Sequence, residues 1–204
     1  PELTIDLPPF LTSYTGMDAL AHSLEAYCSP FFHPLSQGIA LEGINIVHKY
    51  LLRAFRNGKE IEARSNMLTA SSMGSTAFQK GLGAIHSLSH PVGAIYNTHH
   101  GLTNGVFMPY VLLKNKSAIE DRIIALSRYI NLPKNSFDSF MNWILDLKKE
   151  LGIPHTLKEL IKDDSKFEEM SEMALNDPST ACNPIKLNKN DFLQLYRDTY
   201  NGIL

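Results

Sequence analysis

Eight histidines stand in the chain, and four of them, His86, His90, His99 and His100, fall within fifteen residues. Imidazole serves as a metal ligand and as an acid or base near neutral pH, so that density asks for a chemical reason. Nearer the start, Asp18 and His22 are four residues apart. On a helix this spacing puts both side chains on one face. A carboxylate and an imidazole placed in that way can share one divalent ion. Thr15-Gly16-Met17-Asp18 also matches a capping box, in which Asp18 only satisfies a helix start and His22 is a solvated or core-edge residue.

His86 and His90 repeat the four-residue step and can also converge on a metal. Pro91 is expected to end their helix, and a histidine in a last helical turn is favoured by the helix dipole without any further role. Pro91-Val92-Gly93-Ala94 then reads as a loop, and Asn97-Thr98-His99-His100-Gly101 as the opening of the next helix. His99 reads as a surface or capping residue, whereas Gly101 and the helix after it fix the direction of His100. Three imidazoles and one carboxylate would hold a divalent cation with a net site charge of +1 and leave room for an oxygen ligand. The set suits Fe²⁺, Zn²⁺, Ni²⁺ or Co²⁺. On spacing alone the reaction stays open. A metal-dependent hydrolase or lyase that activates water and a helical interaction module with structural histidines both compete.

The elements that must position these groups are helical. Thr15 can cap a helix running to about Ser29, where Pro30 stops it, with Met17, Leu20, Leu24 and Tyr27 as its apolar face. Residues 35 to 57 read as a second helix, with Leu35, Ile39, Ile46, Tyr50 and Leu51 inside and Asn57-Gly58 closing it. Residues 60 to 80 form a third, rich in Ala, Met and Ser. Ala118 to Tyr129 and Phe137 to Leu151 are amphipathic. The second of these carries Phe140, Ile144, Leu147 and Leu151 and stops at Gly152. Short helices are expected near 156 to 162, 165 to 175 and 189 to 200. Residues 1 to 12, with Pro8-Pro9, read as an extended lead-in, and Leu3 to Leu7 is the one candidate strand. The expectation is an all-α domain of eight to ten helices.

Composition narrows the function classes. Nineteen basic against 21 acidic residues leave a net charge of −2, which argues against an electrostatic nucleic-acid binder. The longest apolar runs are about five residues, far short of the roughly 20 a membrane span requires. Cys28 and Cys182 form no CxxC pair, as expected of reduced thiols in a cytoplasmic protein. Gly81-Leu82-Gly83 lacks the third glycine of a dinucleotide fingerprint. No phosphate loop, GxSxG elbow, HExxH or EF-hand loop is present. Nothing here is built to hold a nucleotide by its phosphates unaided.

Thr15 to Tyr27, reading TGMDALAHSLEAY, resembles the GMDALxHxxEAY signature of the iron-containing (group III) alcohol dehydrogenases. Gly81 to Asn104, reading GLGAIHSLSHPVGAIYNTHHGLTN, resembles their second signature, HxxxHPLGAxYxxPHGxxNA. Pro1-Glu2-Leu3 to Pro8-Pro9, Leu151-Gly152-Ile153-Pro154 and Asn183-Pro184 look like further segments of that family. The likeness covers nearly the whole chain. It implies the helical bundle-like C-terminal domain of the dehydroquinate synthase-like, iron-containing alcohol dehydrogenase architecture. Residues 1–204 would form the metal-binding catalytic domain, and residues 1–12 the lead-in from the interdomain junction. The nucleotide-binding α/β half would lie outside this chain, which agrees with the missing Gly-rich loop and with a start at Pro1, as in a fragment or processed product.

By the same resemblance the metal ligands fall on Asp18, His22, His86 and His100. His90 is implied to lie near the nicotinamide and substrate, as a catalytic and cofactor-binding residue able to relay the alcohol proton. His99 stands where the family usually has proline, so it could compete with His100 or support it from behind. Gly105 replaces the usual alanine with little consequence. The implied activity interconverts an alcohol and an aldehyde or ketone by hydride transfer with NAD(P) and a divalent metal. Fe²⁺ comes first, ahead of Zn²⁺ or Ni²⁺, and a zinc-dependent polyol dehydrogenase is the nearer rival. The implied partners are a small alcohol or aldehyde and the missing N-terminal domain, with neither nucleic acid nor membrane. The apolar face bared by that domain could also promote a homodimer. Alone, the chain should not turn over substrate, because half of the nicotinamide site would come from the other domain.

Overall fold

The computed structural model describes residues 1–204. Eight α-helices follow one another with no strand: α1 (Pro9–Cys28), α2 (Pro34–Arg56), α3 (Ile61–Ala77), α4 (Ala84–Tyr96), α5 (His100–Tyr129), α6 (Phe137–Glu150), α7 (Phe167–Leu175) and α8 (Lys189–Asn201). Short 3-10 turns sit at Glu2–Thr4, Phe78–Lys80, Leu157–Glu159 and Pro178–Cys182. The all-α expectation holds, and no helix is long and apolar enough to cross a membrane.

Several local expectations are corrected. Residues 1–12 are not an extended lead-in and hold no strand at Leu3 to Leu7. Glu2–Thr4 form a 3-10 turn, Pro8 is extended (φ −61°, ψ 153°), and Pro9 opens α1. A proline in the first helical turn loses no hydrogen bond, because that N–H would have had no partner. Thr15 therefore lies inside α1, where its hydroxyl donates to the Leu11 carbonyl at 2.8 Å. The capping-box reading of Asp18 falls with it.

Pro91 does not end a helix either, and Pro91 to Thr98 is not a loop: α4 runs on to Tyr96 and stops at Asn97, which takes the left-handed conformation at φ 53°. Proline inside a helix removes one backbone bond and crowds the preceding turn. The hydroxyls of Ser89 and Tyr196 donate to the carbonyls of His86 and Leu88, on either side of the Ser87 carbonyl that Pro91 cannot serve. The helix expected from Ala118 is the second half of one 30-residue helix that begins at His100 and passes through Pro109. Asn115, three residues before Ala118, is buried in a reciprocal amide pair with Asn183, both bonds 2.9 Å long. Residues 156 to 162 supply only the 3-10 turn, closed by a Thr156–Glu159 capping box.

α1 is the hub, packed against α2, α3 and α5, while α4 leans on α5 and α7, α6 on α5, and α7 on α8. The apolar face read from the sequence of α1 is inside: Met17, Leu20, Leu24 and Tyr27 are all buried. They meet Leu51 of α2, Ile85 and Leu88 of α4 and Phe107 of α5 in one continuous core. Each such aliphatic or aromatic side chain contributes about 1.5–3 kcal/mol when fully buried. Leu35 departs from the expectation. It is 76% exposed at the start of α2, beside the exposed Phe31 and Phe32.

Candidate metal centre

Asp18 and His22 leave α1 on one side, and two other helices bring imidazoles to them. His86 lies in the first turn of α4, whose amide groups are capped from elsewhere in the fold. The Ala84 N–H donates to Asn183 Oδ1 at 3.1 Å, and the Ile85 N–H donates to Glu25 Oε1 at 2.7 Å. Glu25 also hydrogen-bonds His86 Nδ1 through its other oxygen. One buried carboxylate of α1 thus fixes both the start of α4 and the ring of its histidine. His100 opens α5, and Gly101 lets that end approach α1. A Cβ at Gly101 would lie 2.1 Å from the Tyr14 carbonyl oxygen and 3.0 Å from Asp18 Cβ.

The result is a convergence. Asp18 Oδ1 lies 3.2 Å from His100 Nε2 and 3.8 Å from His86 Nε2. One ligand atom from each of these three residues lies within 4.8 Å of the others. His22 stands alongside, outside that trio. Its Nδ1 is 3.6 Å from Asp18 Oδ2, and its ring centroid is 4.6 Å from that of His86. His90 sits at the rim, its ring stacked on His100 at 5.3 Å with planes 15° apart. His99 stands at the N-cap position of α5 without a capping bond from its side chain, packs on Tyr14 with ring centroids 5.0 Å apart, and takes no place in the convergence.

Asn104, one turn beyond His100 on α5, tests what this arrangement wants. Its amide nitrogen lies 2.7 Å from Asp18 Oδ1, 3.0 Å from His100 Nε2 and 3.2 Å from His86 Nε2. An amide has two hydrogens to offer, and three acceptors surround it when both imidazoles are neutral with their hydrogens on Nδ1. Its own Oδ1 is buried with no partner. A single cation would answer all three lone pairs at once, so the residues fit a divalent metal.

Electrostatics point the same way. Burial would raise the Asp18 carboxyl, yet hydrogen bonds from His100 and His86 and the nearby His22 hold it well below the usual carboxylate range. Burial lowers His22, with Asp18 offsetting part of that. His86 is also opposed by burial, but Glu25 and Asp18 together raise it to about 9. Coordination requires that imidazole neutral, so a metal and a proton compete for His86.

Glu25, Asn104, Asn183 and Asp177 are the contributors that the residue reading left without a role. Glu25 carried a signal: Asp18, His22 and Glu25 are spaced i, i+4 and i+7 on one helix face. Asn104 carried a similar one, at i+4 from His100. Asn183 and Asp177 carried none, since packing alone brings them to α4.

Residues 12–200 match the model of the Fe-containing alcohol dehydrogenase family, C-terminal part. The chain is 38% identical to the 4-hydroxybutyrate dehydrogenase of Cupriavidus necator over 204 residues, 96% of this chain and 53% of that protein. It is 33% identical to the NADPH-dependent butanol dehydrogenase of Clostridium saccharobutylicum, over 98% of this chain and 54% of that one. The crystal structure of a 1,3-propanediol oxidoreductase superposes with a TM-score of 0.94 at 30% identity, over 98% of this chain and 54% of that chain. The iron-containing alcohol dehydrogenase of Thermococcus thioreducens superposes at 0.91 and 31% identity, covering 99% and 53%. The chain spans about half the length of the curated relatives it matches. With its helical architecture and both signature segments accounted for, the chain belongs to the Fe-containing alcohol dehydrogenase family and corresponds to the C-terminal part of its members.

Proposed function

We propose that this chain is the metal-holding half of an NAD(P)-dependent alcohol dehydrogenase, interconverting a small alcohol and its aldehyde or ketone. The observation that carries the reading is the convergence of Asp18, His86 and His100 on the amide of Asn104. Asp18, His22, His86 and His100 would hold the ion, with Fe²⁺ as the first candidate. The names of the relatives support short hydroxylated substrates: 4-hydroxybutyrate, butanol and 1,3-propanediol. A bound divalent ion lowers the pKa of a hydroxyl and polarises a carbonyl, while the nicotinamide carries the hydride.

The chain's own residues prepare that chemistry. Glu25 accepts from His86 Nδ1, which directs the lone pair of Nε2 inward and makes it more basic. Asp18 supplies the negative charge that three neutral imidazoles lack. His90, at the rim, accepts the hydroxyl proton and passes it outward. A nucleotide-binding part, in the half of the relatives' length that this chain does not cover, would complete the nicotinamide site, and the chain alone would be inactive.

Anaerobic loading with Fe²⁺, and separately with Zn²⁺, followed by elemental analysis after gel filtration, tests the metal. One ion per chain is expected, and loss of that ion in His86→Ala. Joining the chain to the N-terminal half of the Cupriavidus necator relative then tests the reaction, read as NAD(P)⁺ reduction with the three alcohols. Absence of a stoichiometric metal, or of any nicotinamide dependence, would overturn the reading; the latter with metal intact would favour a hydrolase or lyase.

A further inference from the structure

We propose that Asp177 is a positioning residue for His90: its carboxylate keeps the imidazole proton on Nδ1, so that Nε2 meets the cleft as a hydrogen-bond acceptor. The two residues are 87 positions apart, and no sequence motif joins them. In the fold Asp177 Oδ2 lies 2.7 Å from His90 Nδ1. The carboxylate is itself held. It caps the 3-10 turn Pro178–Cys182, its Oδ1 accepting from the Ser179 N–H at 2.8 Å, and its side chain is only 13% exposed.

A carboxylate has only acceptors to give, so the nitrogen facing it must carry hydrogen. Burial opposes the charged form of Asp177, yet the hydrogen bonds from His90 and Ser179 keep its carboxyl below the ordinary value. In the neutral ring one nitrogen donates and the other accepts, and the bond at one decides the state of the other. Nε2 of His90 bonds no protein atom, and the ring is 42% exposed where it stacks on His100. An acceptor thus stands free at the rim of the metal-ligand cluster. The opposite tautomer would present an N–H there and could not take a proton from a hydroxyl.

The meaning of that acceptor rests on the dehydrogenase reading, whereas the tautomer can be measured without it. ¹⁵N-detected histidine spectra of the metal-free and Zn²⁺-loaded chain should be recorded on the alkaline plateau of their own pH series, where the His90 shifts no longer change. The His90 signals are identified by their loss in His90→Gln. The native ring is expected to show a pyrrole-like Nδ1 and a pyridine-like Nε2. In Asp177→Asn the amide oxygen can still cap Ser179 while its NH₂ faces His90, so the two shifts should exchange. Asp177→Glu restores an acceptor and should restore the native pattern. A native ring protonated on Nε2, or a pattern unmoved in Asp177→Asn, would overturn the assignment. Loss of Zn²⁺ binding with the tautomer as expected would instead strike only the proposed function.

Discussion

Charge is buried in two different ways in this chain. At the junction of α1, α4 and α5, acids and imidazoles face one another: Asp18 meets His22, His86 and His100, and Glu25 holds His86 from behind. Elsewhere, buried cations hydrogen-bond neutral oxygens. Arg64, 3% exposed, donates to the carbonyls of Gly58 and Leu7 and to the Thr12 hydroxyl. Lys80 donates to Tyr27 O and Lys148 to Val106 O. These cations tie segments together by filling carbonyl lone pairs. The junction does the reverse, leaving more lone pairs in one place than its donors can fill. Burial of charge therefore does not mark the site; a surplus of convergent acceptors does.

The largest effect that could break this contrast belongs to Arg64. Arg64→Ala removes three bonds from a charged donor, each contributing about 1.5–3 kcal/mol, so a loss on the order of 4 kcal/mol is expected after water re-enters. Urea titration would read it, and metal uptake per folded chain should stay unchanged. His100→Ala should invert that pattern. Its ring is 40% exposed, so metal-free stability should move by less than about 1 kcal/mol. Zn²⁺ affinity by calorimetry should fall further than the roughly 100-fold that losing a partner of a ligand can cost. A large stability loss with unchanged affinity would erase the distinction. Glu25→Gln sharpens it at smaller scale. The amide can keep the Ile85 bond but turns an N–H toward His86 Nδ1, and affinity should drop about 10- to 100-fold.

How far the molecule could be read from its sequence follows the same division. Periodicity was enough for the α1 face of Met17, Leu20, Leu24 and Tyr27, because helix geometry and burial agree there. It misread Pro91, where neighbouring packing outweighs a local helix-breaking rule. It also placed Leu35 inside, since a periodic pattern cannot tell that a helix's first turn overhangs its neighbours. In the site, the i, i+4 spacing pointed to Asp18 with His22 and to His86 with His90 as pairs that could meet, whereas His100 stood out only through Gly101 and the family resemblance. The coupling of Asp177 to His90 depends on the Pro178–Cys182 turn lying against α4. Only tertiary packing sets that, and no spacing along the chain encodes it.

The smallest effect separates the two kinds of buried charge by the sign of a pH slope. Burial lowers Lys148 to about 7, with Glu159 the one charge that offsets it. Free in the unfolded chain, a lysine titrates near 10.4. Between those values the unfolded state binds the extra proton, so this residue makes stability rise with pH. His86 acts oppositely. Its folded value of about 9 lies above its unfolded one. Its contribution is therefore present in full below about 6.5 and lost as pH climbs through about 9. In the metal-free native chain the two slopes oppose each other across their overlap. Lys148→Met deletes one of them and exchanges a buried cation for an apolar side chain of similar length, a change expected to add about 1 kcal/mol near pH 6. Urea titrations at about pH 6, 8 and 10 should then show the variant's advantage shrinking as pH rises, its own stability falling throughout as the His86 contribution is lost. A variant whose stability climbed with pH would mean that the imidazole between Asp18 and Glu25 is not the proton-holding group of the metal-free junction.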